Sequence, residues 1–287
     1  MKLSIITINY NNAEGLRRTL ASVAVQTYHD IEHIIVDGGS TDGSVNVIEE
    51  YESSNRSSVH PLTIIWSSEP DKGIYDGMNR GIRKATGDYV QILNSGDILA
   101  ANDVTERMLV ALDSLNAQHS TLNEDAVSIL YGNMIKKDYT TGKILGKSGV
   151  VEYSLRNYYS GTMNHDCCYI RRDMFDIYGL YDENLKIVSD WKWFLQAIGL
   201  GNVKPKYVDI DVTIFDASGV SETNLELRNK ERRQVLEELL PPAVLADYDA
   251  HAFEIEQMTR LRRRHMYELV YFIERALFKL EKWHILR

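Results

Sequence analysis

Four short polar clusters each follow an apolar run in the first hundred residues. They are Thr7-Ile8-Asn9-Tyr10-Asn11, Asp37-Gly38-Gly39-Ser40-Thr41-Asp42-Gly43-Ser44, Ser68-Glu69-Pro70-Asp71-Lys72-Gly73 and Asn94-Ser95-Gly96-Asp97. Carboxylates, hydroxyls and amides in such clusters suit polar, oxygen-rich ligands and hard cations. Taken singly, each cluster has a plainer explanation: Asp37-Gly38-Gly39 suits a turn, and Ser40 to Ser44 suit helix N-caps. Four clusters at matching positions point instead to one shared edge. No GxGxxG follows the first apolar run, which argues against a conventional dinucleotide site.

The elements that must position these clusters alternate in type. Residues 3–8, 31–36, 62–66 and 89–93 have the composition of buried strands. Residues 14–25 place Leu16, Leu20 and Val23 at helical spacing, and 44–51 and 75–85 follow as helices. This alternation predicts an α/β fold with parallel strands and helices on both faces. Ligands then bind outside the C-terminal strand ends, near a switch in strand order. A helix over 102–115, a surface loop over 116–125, a strand over 126–137 and a hairpin continuation over 143–153 are expected next. Residues 165–221 mix short strands and helices. From 221 onward the pattern is helical, interrupted by Pro241-Pro242.

At 287 residues the chain has room for one large or two small domains, and 44% hydrophobic with 25% charged residues is ordinary for a soluble protein. A formal charge of −9 argues against general nucleic-acid binding. Cys167 and Cys168 are adjacent, which excludes a disulfide framework and a spaced metal motif. Reduced core cysteines fit a cytosolic setting. The first residues lack the apolar h-region of a signal peptide, and no run of about 18 apolar residues predicts a membrane span.

The segments SIITINYNN, VDGGSTDGS, SEPDKGIYDGMNRGI and ATGDYVQILNSGD together resemble the family 2 glycosyltransferases. The likeness is nearest to enzymes of bacterial exopolysaccharide, capsule and O-antigen synthesis, including the colanic-acid type. It is specific over 1–100 and continues more weakly through HDCCYIRRDMF, VSDWKWFLQ and ASGVS to about residue 221. The resemblance implies a GT-A-type fold, a Rossmann-like mixed sheet flanked by helices. It also implies inverting transfer of a sugar from a nucleotide-diphosphate donor, a UDP-sugar by the family's habit. On this reading 1–221 is the catalytic domain, with 1–100 holding the nucleotide-sugar and 101–221 facing the acceptor. Residues 222–287 form a helical extension.

Carried over position by position, the resemblance assigns Thr7, Asn9, Tyr10 and Asp37 to the nucleobase and ribose. A carboxylate can accept the imide N–H of uracil, and Tyr10 can pack on a ring. Asp71 and Lys72 lie beside the nucleotide, although Lys72 also suits a solvated loop. In relatives two carboxylates commonly follow strand four. Here Ser95-Gly96-Asp97 leaves Asp97 as the ligand for Mn²⁺ or Mg²⁺, with Ser95 on the donor side. The base maps to Asp190 in Val188-Ser189-Asp190-Trp191, where an ordinary helix N-cap is the alternative. His165 and Asp166, where relatives often carry His-Gln, suit acceptor or phosphate contacts or a structural role. Trp191 and Trp193 could stack on sugar, Trp193 more readily joining the core. Ser218-Gly219-Val220-Ser221 resembles a loop that covers the donor in relatives.

Residues 259–287 carry eight Lys/Arg against three Glu, a net +5, with apolar residues at helical spacing. Such a helix suits either an anionic membrane surface, where a polyprenyl-diphosphate-linked saccharide acceptor would reside, or packing on protein, including a homodimer. The expected location is cytoplasmic, with peripheral contact at the inner membrane face as the extension of that reading. A non-catalytic glycan- or nucleotide-binding scaffold is the alternative function, motivated by the missing second carboxylate.

Overall fold

The computed structural model describes residues 1–121, 126–150, 154–217, 224–263 and 266–285. Chain contacts divide it into two compact units, Met1–Val235 and Leu236–Arg287.

In the first unit the parallel half of the sheet forms as the alternation predicts. Strands β1 (Leu3–Asn9), β2 (Ile31–Asp37), β3 (Thr63–Ser68) and β4 (Tyr89–Ile92) alternate with helices α1 (Ala13–Ala24), α2 (Ser44–Arg56) and α3 (Ile74–Lys84). β1 lies between β2 and β4, and β2 between β1 and β3, all parallel. Both β1 and β2 are buried at every position, because helices or loops cover both faces. On one face Leu16 and Leu20 of α1 and Val47 and Ile48 of α2 pack on Ile35, and farther along the same face Leu3, Ile5 and Tyr89 pack with Met108, Leu112 and Tyr169. The other face carries Ile6 and Ile8, against which Gly81 and Gly77 of α3 lie.

Beyond β4 the sheet becomes mixed. Short β5 (Ile98–Leu99) leads to α4 (Val104–Thr121), then β6 (Ile129–Lys137), β7 (Ile144–Lys147), α5 (Leu155–Ser160), a 3₁₀ turn at His165–Cys167 and β8 (Cys168–Arg171). α6 (Met174–Tyr178), α7 (Ser189–Phe194) and β9 (Lys206–Asp216) follow. Among the described residues the order is β3-β2-β1-β4-β8-β6-β9-β5, with β7 pairing β6. β8 is antiparallel to β4 and β6, whereas β9 runs parallel to β6. The order reverses at β1, so the C-terminal ends of β1 and β4 flank a switch point.

Residues 116–121 correct the expected loop: α4 continues through them to Thr121. Ala117 and Gln118 favour a helix, and Asn116 Oδ1 accepts the Val127 N–H at 2.8 Å. Positions 122–125, 151–153 and the Ser218-Gly219-Val220-Ser221 segment lie outside the described residues.

α8 (Leu225–Leu239), α9 (Pro242–Arg263) and α10 (Tyr267–Ile285) complete the chain. Pro242 opens α9 in its first turn, where a missing N–H leaves no bond unmade. α10 exposes Leu269, Phe272, Leu277 and Phe278. Among the described residues no helix is long and apolar enough to cross a membrane.

Candidate active site

At the β1–β2 edge the geometry separates support from contact. Asp37 is fully buried. Its Oδ1 accepts Asn9 Nδ2 at 2.7 Å and Ser40 Oγ at 2.6 Å; its Oδ2 accepts the Ser40 N–H at 2.9 Å and Ser68 Oγ at 2.6 Å. Burial alone would raise this carboxyl, but those four donors hold it below its ordinary range. A carboxylate so filled has no lone pair left for an incoming uracil, which corrects the expected direct contact; Asp37 pins the loop. Asn9 is committed to the same bonds. Thr7 is also turned inward, its hydroxyl 3.0 Å from His33 Nε2. It lies under the site and not in it, because successive strand residues face opposite sides and both sides here are covered.

Tyr10 and Asp71 are less enclosed, Asp71 being half-buried. Tyr10 is 67% exposed. A Cβ added at Gly38 would lie 2.7 Å from Asp71 Oδ2 and 3.3 Å from Tyr10 Cδ2, so only glycine fits between them. Burial and the charges of Asp76 and Asp37 raise the Asp71 carboxyl, against a hydrogen bond from the Gly73 N–H. Asp71 is therefore the carboxylate here that gains from a ligand donor. Lys72 is exposed beside it.

The β4 end is tied to α1. Asn12 caps α1, its Oδ1 accepting the Gly15 N–H at 3.1 Å, while its Nδ2 donates to Ser95 O at 3.1 Å and Ser95 Oγ at 3.3 Å. Gly96 has φ of +110°. A carboxylate residue would be strained there, so the missing second acid follows from backbone shape. Asp97 comes next, 4% exposed, its Oδ1 accepting the Asp216 N–H at 2.9 Å. Arg18 Nη2 in turn holds Asp216 Oδ2 at 3.2 Å. Asp166 is buried as well, its Oδ2 accepting Thr213 Oγ1. Burial and the Asp166 charge push Asp97 well above the carboxylate range, and burial raises Asp166 against the His165 charge and the Thr213 hydroxyl.

The third part gathers around Asp190. Val188 takes the N-cap position of α7, and Asp190 sits in the first turn without capping it. Its Oδ2 lies 2.9 Å from His165 Nδ1, and its Oδ1 accepts the Tyr75 hydroxyl at 2.8 Å. The loop before α7 is anchored by Glu231 of α8, which accepts the N–H groups of Lys186 at 2.7 Å and Ile187 at 2.9 Å. Burial opposes the charge of Asp190, but His165 and Tyr75 hold its carboxyl below the ordinary range. Burial likewise opposes the His165 charge, yet Asp190, Asp166 and Asp97 raise the imidazole to about 9. The pair is imidazolium–carboxylate at neutral pH. His165 Nε2 stands 3.1 Å from Asn94 Nδ2, while Asn94 Oδ1 is buried without a partner. Turning that amide over places Oδ1 on the imidazolium N–H, so that an acceptor meets the donor.

The two tryptophans are not sugar platforms. Trp191 is 2% exposed, donates Nε1 to Tyr158 O at 2.9 Å and lies under the Arg232 guanidinium. Trp193 is core.

The donor set fits a divalent cation of one kind. Among the described residues no three His, Cys, Asp or Glu side chains enclose an ion. Asp97 is a buried hard oxygen donor raised by burial and by the Asp166 charge, a condition that a cation would relieve. It suits the mode in which one carboxylate binds and substrate phosphates and water complete the shell.

Sequence reasoning missed Tyr75, Asn94 as a partner of His165, Asp216 and Arg18. Tyr75 falls on the inward side of a helix pattern, and nothing in its neighbours distinguishes it from core.

The model of glycosyl transferase family 2 matches residues 4–178. The chain is 31% identical over 221 residues to an uncharacterised glycosyltransferase of Mycobacterium tuberculosis, covering 76% of each. It is 26% identical over 218 residues to a PGL/p-HBAD biosynthesis glycosyltransferase of Mycobacterium bovis, covering 75% of this chain and 77% of that one. S. aureus TarS 1–349, solved with UDP, superposes with a TM-score of 0.57 at 18% identity, over 75% of this chain and 60% of that chain. A mannosyltransferase from Pyrobaculum calidifontis, solved with GDP-Man and Mn²⁺, superposes with a TM-score of 0.57 at 16% identity, over 97% and 87%. The sheet order and these superpositions make the fold GT-A-type.

Proposed function

Since the chain belongs to glycosyl transferase family 2, we propose that it moves a sugar, with inversion, from a nucleotide-diphosphate donor to a hydroxyl of a glycan or lipid-linked saccharide. A UDP-sugar is the donor of choice: Asp71 offers a carboxylate to an imide N–H across Gly38, with Tyr10 beside it for the ring. TarS, a structural neighbour, was solved with UDP and with UDP-GlcNAc, which supports this choice.

The diphosphate is assigned to the Asp97 end of the cleft. A divalent cation held there by Asp97, when bound, offsets negative charge on the departing diphosphate as a Lewis acid. The Mn²⁺ in the mannosyltransferase structure supports that assignment. Asn12 and the Asp216 N–H keep Ser95 and Asp97 oriented. At the other end Asp190 takes the proton of the acceptor hydroxyl. Its carboxylate is a weak base, held charged by His165, Tyr75 and the Trp191 N–H. A weak base suffices, because a hydroxyl bonding to an oxocarbenium-like carbon becomes strongly acidic as it attacks.

The observation that carries this reading is one hydrogen-bonded line. It runs from Asn94, in the motif that ends at Asp97, through His165 to Asp190, with separations of 3.1 and 2.9 Å. It fixes the cation end and the base end of the cleft to each other. The test is UDP release from a panel of UDP-sugars with Mn²⁺. The wild type releases UDP from at least one donor, and EDTA or Asp97→Ala abolishes the release. Turnover that survives both, or no turnover with any donor, overturns the reading.

A further inference from the structure

Asp190 meets its surroundings from four directions. His165 faces it from the 3₁₀ turn, Tyr75 from α3, Tyr181 from the loop after α6, and the Arg232 guanidinium from α8. Only two of these reach its oxygens with a hydrogen bond among the described residues, one to each oxygen. The carboxylate is 17% exposed, so one side stays open to a reactant.

We propose that Tyr75 is a positioning residue for the base: its hydroxyl and the His165 imidazole clamp the two oxygens of Asp190 and fix the direction of the open lone pair. This deepens the glycosyl-transfer reading and rests on it. Tyr75 is 4% exposed, and its ring packs against that of Tyr181 with centroids 5.7 Å apart. A phenylalanine ring would make the same contact, so the hydroxyl is not needed to fill space. A buried hydroxyl with a carboxylate partner is a charge-assisted bond, stronger and more directional than a neutral one. Burial and the Asp190 charge also keep the phenol protonated, so it stays a donor throughout.

The placement links the two ends of the cleft. Tyr75 stands in the first turn of α3, directly after Asp71-Lys72-Gly73. The loop assigned to the donor and the donor group for the base therefore belong to one element. No proton passes through Tyr75; it aims Asp190, and Asp190 accepts the proton.

The test is Tyr75→Phe in the full chain, read in two ways. In the metal-free protein the Asp190 carboxyl is titrated by carbon NMR, its resonance assigned with Asp190→Asn. Loss of the hydroxyl raises the midpoint by about one unit, because a hydrogen bond to the charged form is gone. In turnover of a UDP-sugar with Mn²⁺, kcat falls about tenfold, the donor KM is unchanged, and the acid limb of kcat moves to higher pH. In the Asp190→Asn background Tyr75→Phe has no further effect, since it acts through Asp190. Should Tyr75→Phe lose its fold, 3,5-difluorotyrosine at position 75 keeps the shape, strengthens the donor and lowers the midpoint. An unmoved midpoint, or a tenfold loss that persists in the Asp190→Asn background, overturns the clamp. A shifted midpoint in a protein that turns over no nucleotide-sugar upholds the clamp and discards glycosyl transfer instead.

Discussion

Asp37 ends β2 and Asp97 lies in the connection after β4 of the same sheet, and the fold treats them oppositely. Asp37 is met by four donors and held in its charged form. Asp97 is met by one backbone N–H, and with Asp166 it is pushed toward the protonated form. The first is a solved electrostatic problem, whose charge is already spent on the loop that it folds. The second is left uncompensated, and on the reading proposed above a cation compensates it. The same contrast divides Asp71 from Asp37 on the donor side. On the reading proposed above, direct recognition falls to Asp71, the carboxylate that is raised, although both sit in matching sequence clusters.

The largest expected effect lies outside that pair, at the carboxylate assigned as the base. Asp190→Asn keeps the fold and donor binding while sugar transfer falls about 10²–10⁴-fold, as removal of a general base does. Transfer assays beside calorimetric donor titration check this; near-normal transfer means that the base lies elsewhere.

Next comes the saturated half. Asp37→Asn puts an amide donor where four donors already converge, which costs about 2–3 kcal/mol of stability by urea unfolding. The folded variant should retain most of its nucleotide affinity if Asp71, not Asp37, reads the base. A variant of normal stability that no longer binds nucleotide would reverse the two roles.

The smallest effect is a pH slope. His165 has its folded pKa raised from 6.5 to about 9. Its contribution to stability is therefore complete below 6.5 and is lost as pH climbs through about 9. In EDTA, wild-type stability should fall over that window relative to His165→Gln. Parallel curves would mean that the ion pair with Asp190 does not form.

How far the sequence revealed this follows from where each partner lies. The parallel half of the sheet was legible because strand composition, helical spacing and turn chemistry are local. Position Asp97 was legible by resemblance, and Gly96 explains its departure from the family pattern through φ alone. The roles of Thr7 and Asp37 were not, because their deciding partners arrive from other strands. His33 is 26 residues from Thr7, and Asn9 and Ser68 are 28 and 31 residues from Asp37. With both sheet faces buried, polarity gives no cue to which side a residue faces. Asp190 carried two readings, cap and base. The structure gives the cap to Val188 and turns the carboxylate toward His165, 25 residues away, and Tyr75, 115 away. Trp191 misled in the opposite sense: an aromatic beside a candidate base suggested sugar stacking, and Tyr158 and Arg232 bury it.

The central claim is that the donor's diphosphate lies at Asp97 while Asp190 faces the sugar carbon from the far side. A crystal of the protein with a UDP-sugar and Mn²⁺, measured at the manganese absorption edge, addresses it in one experiment. The account predicts an anomalous peak bonded to Asp97 and to both phosphates, with Asp190 opposite the leaving oxygen. An anomalous peak elsewhere, or Asp97 turned from the ion toward Asp216 alone, would contradict it.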